Sequence, residues 1–340
     1  MCTLEAAQAP RPGWQVSEGP MAKEKFALAL GGGGARGWAH IGILRALSKA
    51  GLDPDIVVGT SIGAIVGGHY AAGRLDRLED FAQSLTRRRV FSFLDLSVSG
   101  SGLIAGQRLF DRFDDHLKGL TIEELPVRFA AIATDLANGH EIWLRRGSVT
   151  DAVRASSAIP GIVRPVSLNG RWLIDGCLVN PIPVSVCRAL GARTVVAVNL
   201  TSEFGRGSIL IDDEVETDEP VPIVEEVPPI TRWNGQGALQ LLHRQLFGHR
   251  QDAAPGITSV ILNSFSIFHD RIARARLMGD PPDLLIAPDL AEIGVLDFHR
   301  CEEMIARGEA AITPHLPVIE RNVNASSTPS HTAHLFSGPS

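Results

Sequence analysis

A single serine stands between two glycines in the segment Gly59-Thr60-Ser61-Ile62-Gly63. Apolar runs on both sides, at 56–58 and 64–66, are typical of a buried strand that turns sharply into a helix. Such a turn strains the serine backbone, lifts its hydroxyl above the sheet edge and favours flanking residues without a Cβ. The segment therefore predicts Ser61 as a nucleophile, with the N–H of Ile62 facing a developing oxyanion. The alternative is a plain glycine-rich turn in which the serine caps a helix.

A glycine-rich loop at 31–37 follows an apolar strand pattern at 26–30 and precedes a helical pattern. This order exposes consecutive backbone N–H groups at the positive end of a helix, where an anion binds. The spacing Gly-x-Gly-x-x-Gly of Gly32, Gly34 and Gly37 fits the pyrophosphate of a dinucleotide. One interpretation of the loop is therefore a nicotinamide or flavin oxidoreductase.

The other interpretation of this loop is an oxyanion hole beside Ser61, formed by the N–H groups of Gly32, Gly33 and Gly34. Arg36 inside the loop is unusual for a pyrophosphate clamp, and the next strand pattern ends in the serine turn rather than in an acidic residue. Both observations favour the oxyanion hole. A phosphate-binding NTPase loop is excluded, because no Gly-Lys-Ser/Thr follows.

An aspartate ends a short strand pattern at 171–174, where Asp175 precedes Gly176 on a loop that the glycine opens. A carboxylate in this position could act as the base or the orienting group for a nucleophilic serine. An Asp-Gly pair after a strand is, however, most often only a turn, and taken alone this pair favours the turn.

Taken together, the arginine-containing glycine loop, the Gly-x-Ser-x-Gly segment and the Asp-Gly pair resemble the patatin-like phospholipase family, in particular its bacterial and neuropathy-target-esterase-like members. Segments at 133–136, 155–161 and 173–183 add to the resemblance, which is strong over 25–200 and looser to about 312. The resemblance implies a serine lipid-acyl hydrolase that cleaves carboxylic ester bonds of phospholipids or lysophospholipids through an acyl-enzyme. It implies no metal or organic cofactor.

The resemblance also implies a Ser–Asp dyad, in which Ser61 is the nucleophile and Asp175 its base, with the Gly32–Gly34 amides as oxyanion hole. The motif residues that it carries over are Arg36, Gly37, Gly59, Gly63 and Gly176. Because an exposed aspartate has a pKa of about 3.9 and is a poor base for serine, we expect Asp175 to be partly buried. The family usually has glycine or alanine after Asp-Gly, whereas this chain has Cys177, which is small and apolar when buried.

Two further interpretations stand beside the dyad. A triad would use His40 or His69, which follow the two glycine motifs, but both lie on helix bodies and are predicted to be structural. A catalytically idle regulatory protein of the same fold is the other alternative, and the intact Ser61 and Asp175 argue against it.

The composition of the 340-residue chain agrees with an α/β enzyme, because 44% of the residues are apolar and can build a large core. The net charge of −6 argues against a nucleic-acid partner. The four cysteines, at 2, 177, 187 and 301, have no metal-ligand spacing and suit a reducing cytosol. We expect a cytoplasmic protein with a lipid or acyl-ester substrate, and any membrane contact to be peripheral, at the inner face of a membrane.

Alternating strand and helix patterns predict a three-layer α/β/α sandwich with a largely parallel central sheet. Ligands of such sheets bind beyond the carboxyl ends of the strands, where both glycine motifs fall. We expect a flexible N-terminal segment at 1–24 without a secretory signal, a catalytic domain at 25–312 and a disordered tail at 313–340. The catalytic domain is predicted to contain an acidic surface loop at about 207–230 and C-terminal helices at 231–312.

Overall fold

The computed structural model describes residues 26–93, 112–113, 115–201 and 257–325. The predicted N-terminal segment at 1–24 and the predicted acidic loop at 207–230 lie outside the described residues. So do residues 231–256 of the predicted C-terminal helices and residues 326–340 of the predicted tail.

Apolar strands form the centre of the molecule. Within the described residues they are β1 (Phe26–Leu30), β2 (Ile56–Thr60), β3 (Arg128–Asp135), β4 (Glu141–Leu144), β5 (Val166–Leu168), β6 (Arg171–Asp175), β7 (Thr194–Val198) and β8 (Leu284–Ile286). They make one sheet in which hydrogen-bonded neighbours follow the order β5-β6-β3-β2-β1-β7-β8. In it β2 and β6 pair with successive parts of one edge of β3, and β4 pairs with the other edge. Along that order the strands from β3 to β8 run parallel, whereas β4 and β6 are antiparallel to β3, and β5 is antiparallel to β6.

Helices cover both faces of this sheet. In the described ranges they include α1 (Ala39–Lys49), α2 (Ile62–Ala71), α3 (Leu75–Gln83), α4 (Arg87–Phe93), α5 (Val149–Ser156), α6 (Val184–Ala189), α7 (Ile257–Gly279), α8 (Cys301–Ile312) and α9 (Leu316–Ala325). Leu28 and Val57 pack in one core with residues of α1, α2 and α8, whereas Ala27 and Val58 pack in the opposite core with residues of α6 and α7. Because alternate strand residues point to opposite faces, this layering confirms the predicted α/β/α sandwich.

The end of the described chain departs from the prediction of a disordered tail beginning at residue 313. A 3-10 turn at Thr313–His315 leads into α9, in which Ile319 and Val323 are buried against the main core. The prediction followed the Ser, Thr, Asn and Pro content, but Pro314 occupies the first turn of a helical segment, where proline is tolerated. Apolar residues four apart then give the helix a face to bury. The tail prediction is therefore wrong for residues 313–325.

Candidate active site

Ser61 occupies the turn between β2 and α2 in a backbone conformation that few side chains adopt. Its φ is 56° and its ψ is −124°, and among the described non-glycine residues only Asn169 also has a positive φ. The turn is crowded, because a Cβ at Gly59 would overlap the carbonyl of Gly63, and a Cβ at Gly63 would overlap the carbonyl of Leu30. This is the strained strand-to-helix turn that the sequence predicts.

Asp175 reaches Ser61 because two strands share one edge of β3. Thr60, the last residue of β2, pairs with Ile132, and Asp175, the last residue of β6, pairs with the next residue, Ala133. The opposite edge of β3 is occupied by β4 at both positions. The parallel β2 and the antiparallel β6 therefore meet end to end, with their carboxyl ends facing each other. Ser61 and Asp175 lie on the two sides of this junction.

The two side chains are in direct contact, since Ser61 Oγ donates a hydrogen bond of 2.6 Å to Asp175 Oδ2. The other carboxylate oxygen, Oδ1, accepts the N–H of Cys177 at 2.8 Å. The backbone of Asp175 is held as well, because its N–H donates to the carbonyl of Ala158 at 3.0 Å and its carbonyl accepts the Thr134 hydroxyl at 2.9 Å. The protein itself therefore fixes the carboxylate against the serine.

Burial changes the acidity of Asp175. Its exposed fraction is 0%, so the side chain is more completely buried than the sequence led us to expect. Loss of hydration raises the pKa of Asp175 from 3.8 to about 6, although hydrogen bonds from Ser61 and Cys177 oppose the shift. A carboxylate with this pKa is ionised at neutral pH and is a stronger base than an exposed aspartate.

Ser61 lies in the wall of a cavity of about 120 Å³. Apolar side chains from α2, α7 and the segments that follow α5 and β8 make up most of this wall; they include Ile65, Ile159, Ile162, Val163, Leu262 and Leu296. Such a lining suits the hydrocarbon part of a ligand, while the few polar groups in the wall determine how the ligand is oriented.

The predicted oxyanion-hole residues take up two different positions. Gly33, Gly34 and Ile62 belong to the cavity wall, and no acceptor for their N–H groups is found among the described residues. Gly34 has a φ of 60°, a left-handed conformation that suits glycine. The N–H of Gly32 instead donates to the carbonyl of Pro181 at 3.1 Å. Three of the four predicted donors therefore stand at the cavity, whereas the Gly32 amide is engaged with another segment.

The remaining motif residues surround this arrangement. Arg36 is buried, and its Nε donates to the carbonyl of Ile293 at 2.7 Å, which ties the glycine loop to the segment after β8. Burial lowers the pKa of Arg36, and the charge of Asp297 opposes this shift. Gly37 packs against the side chain of Ile62 at the start of α2, where there is no room for a Cβ.

Each of the two histidines that follow the glycine motifs forms a hydrogen bond with a nearby backbone carbonyl. His40 Nε2 forms a hydrogen bond with the carbonyl of Gly31 at 2.8 Å, and His69 Nδ1 forms one with the carbonyl of Ile65 at 2.8 Å. Burial lowers the pKa of each to about 4, and neither belongs to the cavity wall. These contacts agree with the structural role expected from the sequence.

Ser157 and His269 are among the wall residues that the sequence did not single out. His269 lies on α7, and burial lowers its pKa to about 4, with the charge of Arg36 lowering it further. Ser157 directly follows Ser156, whose hydroxyl accepts the N–H of Ser61 at 2.9 Å. Ser157 stands in a segment of the family resemblance, which was a weak signal, whereas no motif marks the helix that carries His269.

In the described ranges, no group of three or more His, Cys, Asp or Glu side chains is arranged to hold a metal ion. No helix of these ranges combines the length and the apolar composition that a bilayer crossing requires.

The fold and the site define an α/β protein with a glycine-flanked serine bonded to a buried aspartate. The family model described as Patatin-like phospholipase matches residues 28–188, which include both Ser61 and Asp175. An uncharacterized NTE family protein of Mycobacterium tuberculosis is 34% identical over 332 residues, covering 87% of this chain and 92% of the relative. The chain therefore belongs to the patatin-like phospholipase family, and the resemblance seen in the sequence is confirmed.

More distant similarity extends to animals and to a solved structure. Patatin-like phospholipase domain-containing protein 6 of Mus musculus is 34% identical over 185 residues, which are 52% of this chain and 14% of that protein. The crystal structure of VipD from Legionella pneumophila aligns with a TM-score of 0.44 and 13% sequence identity, covering 89% of this chain and 67% of that chain.

Proposed function

We propose that this protein is a serine lipid-acyl hydrolase that cleaves carboxylic ester bonds of phospholipids or lysophospholipids. The observation that carries the proposal is the 2.6 Å hydrogen bond from Ser61 Oγ to the buried carboxylate of Asp175, at the wall of an apolar cavity. Membership of the patatin-like phospholipase family supports lipid-ester hydrolysis in general. It also favours this function over a dinucleotide-dependent oxidoreductase.

The first half of the proposed reaction forms an acyl-enzyme. Asp175 accepts the proton of Ser61 Oγ as this oxygen attacks the carbonyl carbon of the ester. The N–H groups of Gly33, Gly34 and Ile62 stabilise the resulting oxyanion, since they have no acceptor among the described residues. Collapse of the tetrahedral intermediate breaks the bond to the alcohol oxygen, and Asp175 returns the proton to this leaving group.

The second half releases the fatty acid. A water molecule gives a proton to Asp175 and attacks the acyl carbon, after which the Ser61 oxygen leaves and takes the proton back. Burial assists both halves, because it raises the pKa of Asp175 to about 6 and makes the carboxylate a stronger base.

Covalent labelling tests the proposed nucleophile. The folded protein is treated with a fluorophosphonate probe, and the modified residue is identified by peptide mass spectrometry. We expect the label at Ser61 and its loss in Ser61→Ala. Ser167→Ala serves as the control, because Ser167 is an exposed strand residue outside the cavity wall and its removal should leave the label in place.

Hydrolysis of p-nitrophenyl butyrate is measured on the same samples, and circular dichroism verifies that each variant is folded. A folded wild-type protein that takes up no probe and hydrolyses no ester would contradict the proposal and favour the catalytically idle alternative. A label on a serine other than Ser61 would reject the assignment of the nucleophile.

A further inference from the structure

Most polar side chains in the described wall of the cavity are bonded within the protein. Ser61, Arg36, Thr201 and Ser266 each donate a hydrogen bond to an acceptor of the chain itself. Their polar atoms therefore have partners without any ligand, and they do not call for a polar group in the substrate.

Ser157 and His269 are the exceptions in this wall. Within the described residues, Ser157 Oγ and His269 Nε2 are buried without a hydrogen-bond partner. A buried polar atom without a partner is costly to the folded state and is uncommon unless a ligand or an ordered water completes it. Because both residues belong to the cavity wall, a group that enters the cavity can supply the missing partner.

Both residues lie next to the proposed nucleophile. A Cβ built on Gly32 would lie 3.2 Å from His269 Cε1 and 3.4 Å from Ser61 Cβ, so the imidazole and the serine flank the same backbone position. Ser157 follows Ser156, whose hydroxyl accepts the Ser61 N–H at 2.9 Å. A ligand group bound by Ser157 and His269 is therefore close to the ester that Ser61 attacks.

The chemistry of the two side chains selects a hydroxyl group as this partner. A serine hydroxyl and a neutral imidazole can each both donate and accept a hydrogen bond. His269 is neutral near pH 7, because burial and the charge of Arg36 lower its pKa, so it does not attract an anion by charge. An alcohol also donates and accepts, so a substrate hydroxyl matches the hydrogen-bonding capacity of either side chain.

We propose that Ser157 and His269 form a polar subsite that binds a free hydroxyl adjacent to the scissile ester. The inference rests on the proposed hydrolase function and narrows its substrates to partly acylated polyols, such as monoacylglycerols and lysophospholipids. A simple alkyl ester leaves both polar atoms of the subsite without a partner and is therefore the poorer substrate.

Two butyrate esters test the subsite. Glycerol monobutyrate and propyl butyrate share the acyl group and a three-carbon alcohol, and only the first has free hydroxyls. For the wild type we expect kcat/KM to be about tenfold higher for glycerol monobutyrate, the effect of one or two neutral hydrogen bonds. Ser157→Ala and His269→Phe should each lower the ratio of the two kcat/KM values by about three- to tenfold. His269→Asn, which keeps a polar group, should retain part of the preference for glycerol monobutyrate.

Ser167→Ala and His140→Phe are the matched controls, since both residues are exposed and lie outside the cavity wall. They should leave the ratio unchanged. A wild-type ratio near one, or a ratio that the Ser157 and His269 variants retain, overturns the subsite while the hydrolase function stands. Variants that only lower the melting temperature, with an unchanged ratio, also overturn it. Absence of ester hydrolysis and of Ser61 labelling in the wild type would instead overturn the hydrolase function.

Discussion

Two aspartates end neighbouring strands of the sheet, and the protein shifts their pKa values in opposite directions. Asp135, at the end of β3, and Asp175, at the end of β6, are both almost inaccessible to solvent. Asp135 accepts hydrogen bonds from the N–H of Ala137 and from Arg171, which hold its pKa below the ordinary value. Burial instead raises the pKa of Asp175 to about 6, because its hydrogen bonds come from neutral donors and offset the lost hydration only in part.

This difference shows what sets the proton affinity of a strand-end carboxylate. Both aspartates end a strand and have almost no accessible surface, but Asp175 lies deep in the protein whereas Asp135 lies close to its surface, so loss of hydration dominates only at Asp175. At Asp135 the N–H of Ala137 and the guanidinium of Arg171 stabilise the ionised form and outweigh the lost hydration. At Asp175 the lost hydration outweighs the neutral donors, so the affinity for a proton stays high. Arg171, which contributes to this difference, belongs to the same strand as Asp175 but bonds to Asp135.

The largest expected effect of this contrast is on turnover. Asp175→Asn should lower kcat for p-nitrophenyl butyrate by about 10²- to 10⁴-fold, the range for loss of a general base. Asp135→Asn should change kcat by less than about threefold, because Asp135 lies outside the cavity wall. Initial rates of the purified, folded variants measure both. Near-normal turnover in Asp175→Asn would remove this residue from the mechanism.

The same variants should change stability in opposite directions at pH 7. The pKa of Asp175 is about 6 in the folded state against an ordinary 3.8, so its ionisation lowers the free energy of unfolding by up to about 3 kcal/mol above pH 6. Asp175→Asn removes this penalty and should raise Tm. The lowered pKa of Asp135 stabilises the folded protein above its ordinary value, so Asp135→Asn should lower Tm.

The pH dependence of Tm provides a control for both predicted shifts, the increase in Asp175→Asn and the decrease in Asp135→Asn. The gain in Asp175→Asn should disappear below about pH 4, where the wild-type carboxyl group is protonated in both states. The loss in Asp135→Asn should fade as the pH drops through the folded-state pKa of Asp135. Calorimetric unfolding of both variants and the wild type from about pH 3 to 8 measures these changes. Shifts of the same sign at pH 7 would contradict the contrast.

The smallest expected effect is on the pH–rate profile. Since Asp175 must be ionised to accept a proton, kcat/KM should fall below about pH 6. The Cys177 thiol hydrogen-bonds to Asp175 and helps to lower its pKa, so Cys177→Ala should move this limb to higher pH, and Cys177→Ser should move it less. Arg171→Met acts on Asp135 and should leave the limb in place. If the acidic limb of the profile stayed in place in Cys177→Ala and moved in Arg171→Met, its assignment to Asp175 would be wrong.

Local sequence patterns predicted the elements that position the site. The strand expected at 26–30 is β1, and α7 falls within the C-terminal helices expected at 231–312, because continuous or periodic apolar residues follow burial directly. The turn at Ser61 was predictable for a similar reason, since its flanking glycines mark a crowded backbone. The same reliance on local composition missed α9, whose apolar face is buried by distant strands and helices.

Local sequence patterns could not predict the contacts between distant segments of the chain. Nothing local to β6 indicates that it runs antiparallel along β3, so the pairing of Asp175 with Ser61 was implied only by the family resemblance. The bond from the Gly32 N–H to Pro181 and the position of His269 in the cavity wall depend in the same way on how remote elements pack.

The edge of β3 that β2 and β6 share also bears on how the protein is made. Ser61 and Asp175 are 114 residues apart, and they meet only after both strands have docked. Closing so long a loop is slow compared with forming local helices. A nascent chain that has emerged from the ribosome only as far as β4 therefore holds Ser61 without its aspartate, and the contact between the two forms only after synthesis has passed β6.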